Sequence, residues 1–267
     1  MFISRLISSI PIIIFVWLTI FTFPNWFFAF VATSIVAIAL FEFYSMIEKK
    51  GIWPYKYFGI LIAIVISLSI YLEFQLTKGW ELFFITITCL VVFIMQLAHR
   101  GNDQAILSVS TTVFGILYIS WLFSFIIKLK LLVGGTGLVL FLILVTKCSD
   151  IGAYAFGFLF GRHTLIQRIS PKKTWEGAIG GFLSSILVAY VSRRLVPQVP
   201  TSHILYLGAF LGVVAQIGDL YESLLKRDCQ TKDASGLFPG LGGMLDVIDS
   251  VLFTAPIFYF YVKFFIK

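Results

Sequence analysis

The residues best suited to chemistry lie near the C-terminus, in the stretch 223–249. Acids, bases and glycines lie close together there, in a chain that is otherwise mostly apolar: Lys226, Arg227, Lys232, Asp233, Gly240, Gly242, Gly243, Asp246 and Asp249. Asp246 and Asp249 are one helical turn apart at the start of an apolar segment. Two carboxylates this close repel each other unless a cation lies beside them. They therefore indicate a cation site, although an acidic pair that only stabilises a helix start is an alternative.

A third acid, Asp219, is a candidate ligand of the same cation. With Glu222 and Lys226 it recurs at intervals of three or four residues, which places all three on one helix face. A carboxylate at membrane depth costs about 2.5–3.5 kcal/mol. Glu222 could form an ordinary i,i+4 ion pair with Lys226. Asp219 lies deeper, and facing helices could combine it with Asp246 and Asp249 in a site for one or two metal ions, with Mg²⁺ as the expected cation.

Two further motifs could bind an anion. The glycines within 240–243 let the backbone approach a ligand closely, and they precede a helix whose first N–H groups favour negative charge. Ser170 and Pro171 predict a helix start, as N-cap and first helical residue. Lys172 and Lys173 would then lie at the positive end of a helix dipole, where a bound phosphate would stabilise them. The alternative is that these lysines only mark the cytoplasmic side of the membrane.

The composition indicates an integral membrane protein. Of the 267 residues, 59% are hydrophobic and 12% are charged, and the mean hydropathy is +0.98. A soluble domain carries about twice this share of charged residues, and a membrane-spanning helix needs about 20 mostly apolar residues. The sequence therefore predicts an all-α polytopic membrane protein with about nine transmembrane helices, at roughly 5–23, 25–46, 55–77, 79–98, 107–127, 135–160, 174–196, 203–226 and 244–264.

The distribution of basic residues predicts the orientation. Alternate loops hold twelve and seven of the 20 Lys and Arg residues, with Lys147 inside a span. Because the side with more Lys and Arg is normally cytoplasmic, we expect a cytoplasmic N-terminus and an external C-terminus. The loops 161–175 and 226–243 then face the cytoplasm, where nucleotides are. The same rule accounts for the net charge of +7, so no nucleic-acid partner is expected.

The two halves of the chain differ in their acids. Eight of the 13 acidic residues lie within 150–267. We therefore predict that residues 1–130 form a transmembrane helical scaffold and that residues 131–267 form a transmembrane catalytic region. Lys147 and Asp150, inside this region, could form an i,i+3 ion pair or contact a substrate, and the sequence leaves both open.

These motifs resemble the C-terminal signature of the phosphatidate cytidylyltransferases, a family also called CDP-diacylglycerol synthases. The matching positions are Ser223, Lys226, Arg227, Lys232, Asp233, Ser235, Phe238, Pro239, Gly242, Gly243, Asp246 and Asp249. The stretch 170–177 and the residues around Lys147 also resemble family features, so the likeness covers roughly residues 145–255. Two positions depart from the signature: Leu241 stands where the family has His, and Val247 where it has Arg.

The resemblance implies that CTP and phosphatidate react to give CDP-diacylglycerol and pyrophosphate, with Mg²⁺ as cofactor and room for a second cation. The implied metal ligands are Asp219, Asp246 and Asp249, which together with Lys226 form the implied catalytic set. The implied substrate-binding residues are Lys172, Lys173, Lys226, Arg227, Lys232, Asp233, Gly242 and Gly243. The lipid substrate would enter sideways from the cytoplasmic leaflet, because its acyl chains stay in the hydrocarbon.

Other functions stay open at this point. The chain could be a related CTP-dependent enzyme that acts on another membrane lipid, or an inactive paralogue. An ion-coupled transporter is a weaker alternative, because transporters place acids near the midplane and usually have repeated halves. We expect a bacterial inner-membrane location, because the sequence shows no transit peptide. We also expect a homodimer, because long apolar helices commonly associate.

Overall fold

The computed structural model describes residues 2–73, 80–98 and 104–266, and these ranges form a helical bundle with one short two-stranded sheet. The helices are α1 (Phe2–Phe21), α2 (Asn25–Lys49), α3 (Lys56–Tyr71), α4 (Trp80–Ala98), α5 (Ala105–Gly115), α6 (Leu122–Leu131), α7 (Gly135–Phe160), α8 (Trp175–Val191), α9 (Thr201–Asp228) and α10 (Met244–Phe265). A π-helical turn, Ile116–Trp121, joins α5 to α6, and a 3₁₀ turn, Ser192–Leu195, follows α8. The strands β1 (Thr164–Ile166) and β2 (Ser170–Thr174) pair antiparallel.

The described residues confirm an all-α membrane protein. Six helical segments are long and apolar enough to cross a membrane: Asn25–Lys49, Ala105–Leu131, Gly135–Phe160, Trp175–Leu195, Thr201–Asp228 and Met244–Phe265. Three shorter apolar helices accompany them within the same ranges: Ile10–Phe21, Lys56–Tyr71 and Leu82–Ala98. A count of nine spans and a cytoplasmic N-terminus therefore stay predictions. Lys78, Arg100 and Lys267, which entered the charge count, lie outside the described residues.

The predicted helix start at Ser170 is wrong. Ser170 begins β2, which pairs with β1 in the register Thr164 to Thr174 and Ile166 to Ser170. Proline holds the residue before it in an extended conformation and is tolerated at a sheet edge, so Pro171 suits a strand of this two-stranded hairpin. The helix begins instead at Trp175, where the Thr174 hydroxyl accepts a hydrogen bond from the Gly177 N–H at 3.1 Å. Lys172 and Lys173 therefore lie on a strand, not in a first helical turn.

Small residues bring the C-terminal helices close together, as is common in membrane bundles. A Cβ added at Gly181 of α8 would lie 2.8 Å from the carbonyl oxygen of Ser149 on α7. One added at Gly218 of α9 would lie 2.9 Å from the carbonyl oxygen of Asp249 on α10. Polar residues on α7, α9 and α10 can therefore meet inside the bundle.

Tyr44 of α2 organises the N-terminal half. The tyrosine is fully buried, and its ring fills the space left by Gly59 on α3 and Gly115 on α5; a Cβ at either glycine would lie within 2.7 Å of ring or hydroxyl atoms. The Tyr44 hydroxyl donates a hydrogen bond to the carbonyl oxygen of Thr112 at 2.8 Å. This contact fixes α5 immediately before the π-helical turn Ile116–Trp121, which follows it in the chain.

The turn after α2, the hairpin and the end of α9 meet at one end of the bundle. Lys50 Nζ lies 2.6 Å from Asp228 Oδ2, and Arg227 Nε donates to the carbonyl oxygen of Ile169 at 3.1 Å. Cys229 follows α9 and is buried; burial, with a smaller contribution from Asp228, raises the pKa of its thiol. The thiol therefore stays protonated at neutral pH and acts in packing. Three of the loops predicted to share one side of the membrane therefore meet at one end of the structure, and the side that this end faces stays a prediction.

Candidate active site

An acidic cluster forms where α9 meets α10. Carboxylate oxygens of Asp219, Glu222 and Asp249 all lie within 4.8 Å of one another. The first two are neighbours on one face of α9, and the close approach at Gly218 brings Asp249 of α10 against them. The Glu222 side chain is fully buried and that of Asp249 is 8% exposed, whereas that of Asp219 is 34% exposed. The cluster therefore opens to solvent on the side of Asp219.

Three lysines surround this cluster. On α9, Lys226 Nζ lies 2.5 Å from Glu222 Oε2. From β2, Lys173 Nζ lies 2.7 Å from Asp219 Oδ2, and from α7, Lys147 Nζ lies 3.7 Å from Asp249 Oδ1. Each acid thus has a lysine from a different element, which offsets the cost of removing its charge from water.

The Lys147–Asp150 ion pair is present, with Nζ and Oδ2 3.0 Å apart. Lys147 Nζ also donates to Ser250 Oγ at 2.9 Å, and that hydroxyl donates to Asp150 Oδ2 at 2.8 Å. The Ser250 N–H donates to Asp249 Oδ1 at 2.6 Å. The network joins α7 to α10 and orients the Asp249 carboxylate toward the cluster.

Asp246 does not join Asp219 and Asp249 in this structure. Its Oδ1 lies 2.5 Å from Lys226 Nζ, so the lysine separates it from Glu222. Its Oδ2 accepts hydrogen bonds from the N–H groups of Ala234 at 2.9 Å and Gly243 at 2.6 Å. Asp246 therefore caps α10 and holds the loop 229–243. Of the three predicted metal ligands, the structure brings together Asp219 and Asp249 and adds Glu222.

Gly242 and Gly243 approach carboxylates of their own chain. Gly242 has a φ of +95°, a conformation that favours glycine, and a Cβ there would lie 2.5 Å from Asp246 Oδ2. A Cβ at Gly243 would lie 2.5 Å from Glu42 Oε2. The spacing of these glycines therefore serves the loop fold, and their predicted contact with a substrate stays a prediction.

Glu42 joins the candidate site, although it lies in the part of the chain, residues 1–130, that the sequence predicts to be a scaffold. It lies on α2 and is 5% exposed. Its Oε1 accepts from Ser235 Oγ at 2.6 Å and from the Met244 N–H at 2.9 Å, and its Oε2 accepts from the Leu245 N–H at 2.9 Å. The only signal in the sequence was that Glu42 is an acid inside an apolar span. Its hydrogen-bond partners could not be predicted, because they lie about 200 positions away in the chain. The division at residue 130 stays a prediction, and the first half does contribute to the site.

Tyr118 is a second residue that the sequence did not reveal. It lies on the π-helical turn, is 5% exposed, and its hydroxyl has no hydrogen-bond partner among the described residues. Its ring centroid lies 5.5 Å from that of Tyr221 and 6.2 Å from that of Phe253. Tyr221 adjoins Glu222, and Phe253 is one turn beyond Asp249. The phenol therefore lies beside the acidic cluster, and π-helical turns are frequent at functional sites.

The remaining predicted residues lie around the cluster at the same end: three are cations, and one, Asp233, is an acid. Lys172, Lys232 and Asp233 are exposed, and within the described residues none of them makes an ion pair. Arg227 is also exposed and uses Nε for the Ile169 carbonyl. Lys172 is next to Lys173, which pairs with Asp219. Lys232 is two residues before Ala234, whose N–H donates to Asp246. These cations can accept anions without breaking an ion pair.

The donor set of the cluster fits a hard divalent cation. Beyond its ion contact with Lys226, neither Glu222 oxygen receives a hydrogen bond from the described residues, although the carboxylate is fully buried. Buried polar atoms are nearly always satisfied. With Asp219 and Asp249 at hand, three carboxylates offer the oxygen ligands that Mg²⁺ prefers.

Comparison with known proteins shows the family to which the chain belongs. The sequence model of the cytidylyltransferase family matches residues 3–265. The chain belongs to the cytidylyltransferase family. It is 33% identical to a phosphatidate cytidylyltransferase of Synechocystis sp. over 268 residues, 89% of each chain. It is 31% identical to that of Bacillus subtilis over 232 residues, 86% of each chain. Against phosphatidate cytidylyltransferase 5, chloroplastic, of Arabidopsis thaliana it is 33% identical over 273 residues, 90% of this chain and 66% of the relative.

Both departures from the family signature lie outside the acidic cluster. Leu241 is in the tight turn 238–242, where its N–H donates to the Phe238 carbonyl at 3.1 Å. Val247 is partly buried on α10 and packs against the hydrophobic core. Neither side chain contributes to the ion pairs of the three clustered acids.

We predict that Glu42→Ala loosens the loop 229–243. The N–H groups of Met244 and Leu245 and the Ser235 hydroxyl would lose their acceptor, and an unsatisfied buried donor costs about 1–3 kcal/mol. Limited trypsin digestion should therefore cut after the exposed Lys232 faster than in the original chain. Glu48→Ala is the matched control, because Glu48 is on the same helix but pairs with Lys56 at 3.1 Å. Equal cleavage of Glu42→Ala and the original chain would show that Glu42 does not hold the loop.

Proposed function

We propose that the chain transfers CMP from CTP to phosphatidate and releases pyrophosphate, giving CDP-diacylglycerol. The observation that carries this proposal is the acidic cluster with its three lysines, at one end of a membrane bundle that belongs to the cytidylyltransferase family. The names of the three relatives support phosphatidate as the lipid substrate. An acidic, lysine-lined site at a membrane boundary suits a reaction between a lipid phosphate and a nucleotide.

The reaction needs charge neutralisation more than an activated side chain. An oxygen of the phosphatidate phosphate forms a bond to the α-phosphorus of CTP, and the bond from that phosphorus to the β-phosphate oxygen breaks. The nucleophile is already ionised, so no side chain has to remove its proton. Both reactants are anionic, and fixed positive charge lowers their repulsion and stabilises the transition state. Lys173, Lys226 and Lys147 provide such charge at the cluster.

We propose that Asp219, Glu222 and Asp249 hold Mg²⁺. When bound, the ion supplies positive charge at the reacting phosphates. Asp249 is oriented by the Ser250 N–H, and Asp219, the most exposed of the three, faces the direction from which substrate phosphates approach. A second cation beside Asp246 would have to displace Lys226. We therefore assign Asp246 to the positioning of Lys226 and of the loop 229–243.

The outer cations complete the proposed substrate site. Lys172, Arg227 and Lys232 are exposed around the cluster and would bind phosphates of CTP, while Asp233 and the Gly242–Gly243 backbone belong to the loop that carries Lys232. Because this end collects the loops with excess Lys and Arg, we propose that it faces the cytoplasm, in a bacterial inner membrane. Phosphatidate would then approach from the cytoplasmic leaflet with its acyl chains in the membrane.

The purified chain in phosphatidate-containing vesicles should convert labelled CTP to a CDP-lipid and pyrophosphate when Mg²⁺ is present. Asp249→Asn should lower turnover on the order of 100-fold, comparable with the loss of one preorganised charged contact. Asp228→Asn, which removes only the surface pair with Lys50, is the control and should keep its activity. CTP does not cross bilayers, so sealed inside-out cell membranes should form product and right-side-out membranes should not. Absence of product with phosphatidate, in detergent and in vesicles, would refute the proposed reaction.

We predict that the Tyr118 hydroxyl donates a hydrogen bond to an oxygen of the occupied site. Tyr118→Phe keeps the ring packing and should lower turnover about tenfold, as expected for a group that orients ligands. Tyr261→Phe is the matched control: it removes another hydrogen-bonded phenol hydroxyl, whose partner is the His203 ring, and it lies twelve residues beyond Asp249 on α10. That control should lose about 1 kcal/mol of stability and keep its turnover. Full turnover by Tyr118→Phe would exclude the role.

A further inference from the structure

An open surface cavity of about 610 Å³ lies at the end of the bundle opposite the acidic cluster. It is bounded by the start of α2, the end of α6, the start of α7 and the segment after α8. Its polar lining includes Asn25, Lys130, Thr136, Arg194 and Gln198, and none of the described residues that line it is acidic. None of the site residues described above contributes to it, so the proposed reaction does not account for it.

Lys130 is a buried cation that has no counter-ion among the described residues. Its residue surface is 7% exposed, and Nζ donates to the carbonyl oxygen of Ile20 at 2.8 Å and to Thr136 Oγ1 at 2.7 Å. An ammonium group has three N–H donors, and although the Phe28 ring centroid lies 5.6 Å from Nζ, the third donor has no hydrogen-bond acceptor among the described residues. Within the described ranges no carboxylate lies within ion-pair distance of Lys130. A buried charge left in this way costs several kcal/mol, and an anion in the cavity would offset that cost.

Arg194 adds a second cation on the other wall. It lies in the 3₁₀ turn, is exposed, and makes no ion pair or side-chain hydrogen bond among the described residues. Its neighbour Arg193 is occupied differently: Nη1 donates to the Tyr190 carbonyl at 3.0 Å and the guanidinium stacks on the Tyr190 ring at 4.3 Å. Arg194 therefore keeps all five of its donors available, in the fork geometry that suits a phosphate.

The cavity lies at the level of lipid headgroups. The membrane helices α2 and α7 begin at its edge and α6 ends there. The carbonyl of Ile20 that binds Lys130 is in the last turn of α1, and Trp17, Phe23 and Trp26 around the α1–α2 turn are exposed. Exposed aromatic residues of this kind are enriched at the membrane–water boundary. The anion best placed to enter is therefore one carried by the membrane itself.

We propose that this cavity is a phosphate-binding site that takes the anionic headgroup of a phospholipid, with Lys130 and Arg194 as its cationic ligands. The site is separate from the acidic cluster and stands or falls independently of the proposed transferase reaction. Free inorganic phosphate shares the same chemistry, and the binding experiment distinguishes the two sources.

Native mass spectrometry of the full chain in a neutral detergent can measure binding of dioctanoyl phosphatidylglycerol, with dioctanoylglycerol as the phosphate-free lipid. We expect Arg194→Gln to weaken phosphatidylglycerol binding about tenfold, the effect of losing one charged hydrogen-bonding group. Arg193→Gln, the adjacent control, should stay within about twofold of the original chain because its guanidinium is already engaged. Lys130→Met should act like Arg194→Gln. If that variant does not fold, Arg194→Gln still decides the result, since the Arg194 side chain is exposed and makes no ion pair or hydrogen bond among the described residues.

A second arm adds inorganic phosphate. Phosphate that leaves the lipid adduct intact identifies the headgroup as the ligand. If phosphate displaces the lipid from the original chain but not from Arg194→Gln, the cavity is still a phosphate site, but its ligand is the free ion. Equal binding of phosphatidylglycerol by the original chain and Arg194→Gln, or equal binding of phosphatidylglycerol and dioctanoylglycerol, would overturn the proposal.

Discussion

The burial of carboxylates at the junction of α9 and α10 is the constraint on which the site depends. Lys226 lies between Glu222 and Asp246, 2.5 Å from an oxygen of each. Removing one member of a buried ion pair costs about 3–5 kcal/mol, because the other charge is left in a medium of low dielectric constant. The lysine thereby fixes the end of α9 relative to the start of α10. The neutralisation is incomplete, since one Glu222 oxygen has no partner in the part of the chain that the structure describes, and Lys147 lies 3.7 Å from Asp249. A cation is the ligand that such a cluster can still accept.

The N-terminal half contributes more than a scaffold to this junction. Glu42 of α2 accepts the N–H groups at the start of α10, and Gly243 is small enough to let it approach. Tyr44, two residues after Glu42 on α2, fixes α5 ahead of the π-helical turn that carries Tyr118. The two halves therefore share one polar centre, and the loop 229–243 is held from α2 as well as from α10. The loop that carries the exposed Lys232 is therefore held in place by hydrogen bonds to Glu42 of α2 and to Asp246 of α10.

Much of the fold could be predicted from the sequence because hydrocarbon runs determine where helices lie. The apolar segments and the one-face spacing of Asp219, Glu222 and Lys226 are local patterns, and the structure reproduces both. Contacts between distant residues could not be read in the same way. Glu42 gave only the signal of an acid within an apolar span. The sequence also could not show that Asp246 and Glu222 would both pair with Lys226. The helix start at Ser170 was wrong because Thr174 offers an equally good cap and the hairpin pairs the residues between them.

The central claim is that Asp219, Glu222 and Asp249 bind a divalent cation. Binding of Mn²⁺ to the purified chain, followed by the loss of the free-ion electron paramagnetic resonance signal, tests it without either substrate. We expect saturable binding to the original chain and to Asp228→Asn, and binding at least about tenfold weaker in Asp249→Asn, since a carboxylate oxygen is lost. Competition by Mg²⁺ should displace the Mn²⁺. Equal affinity of Asp249→Asn and the original chain would contradict the account.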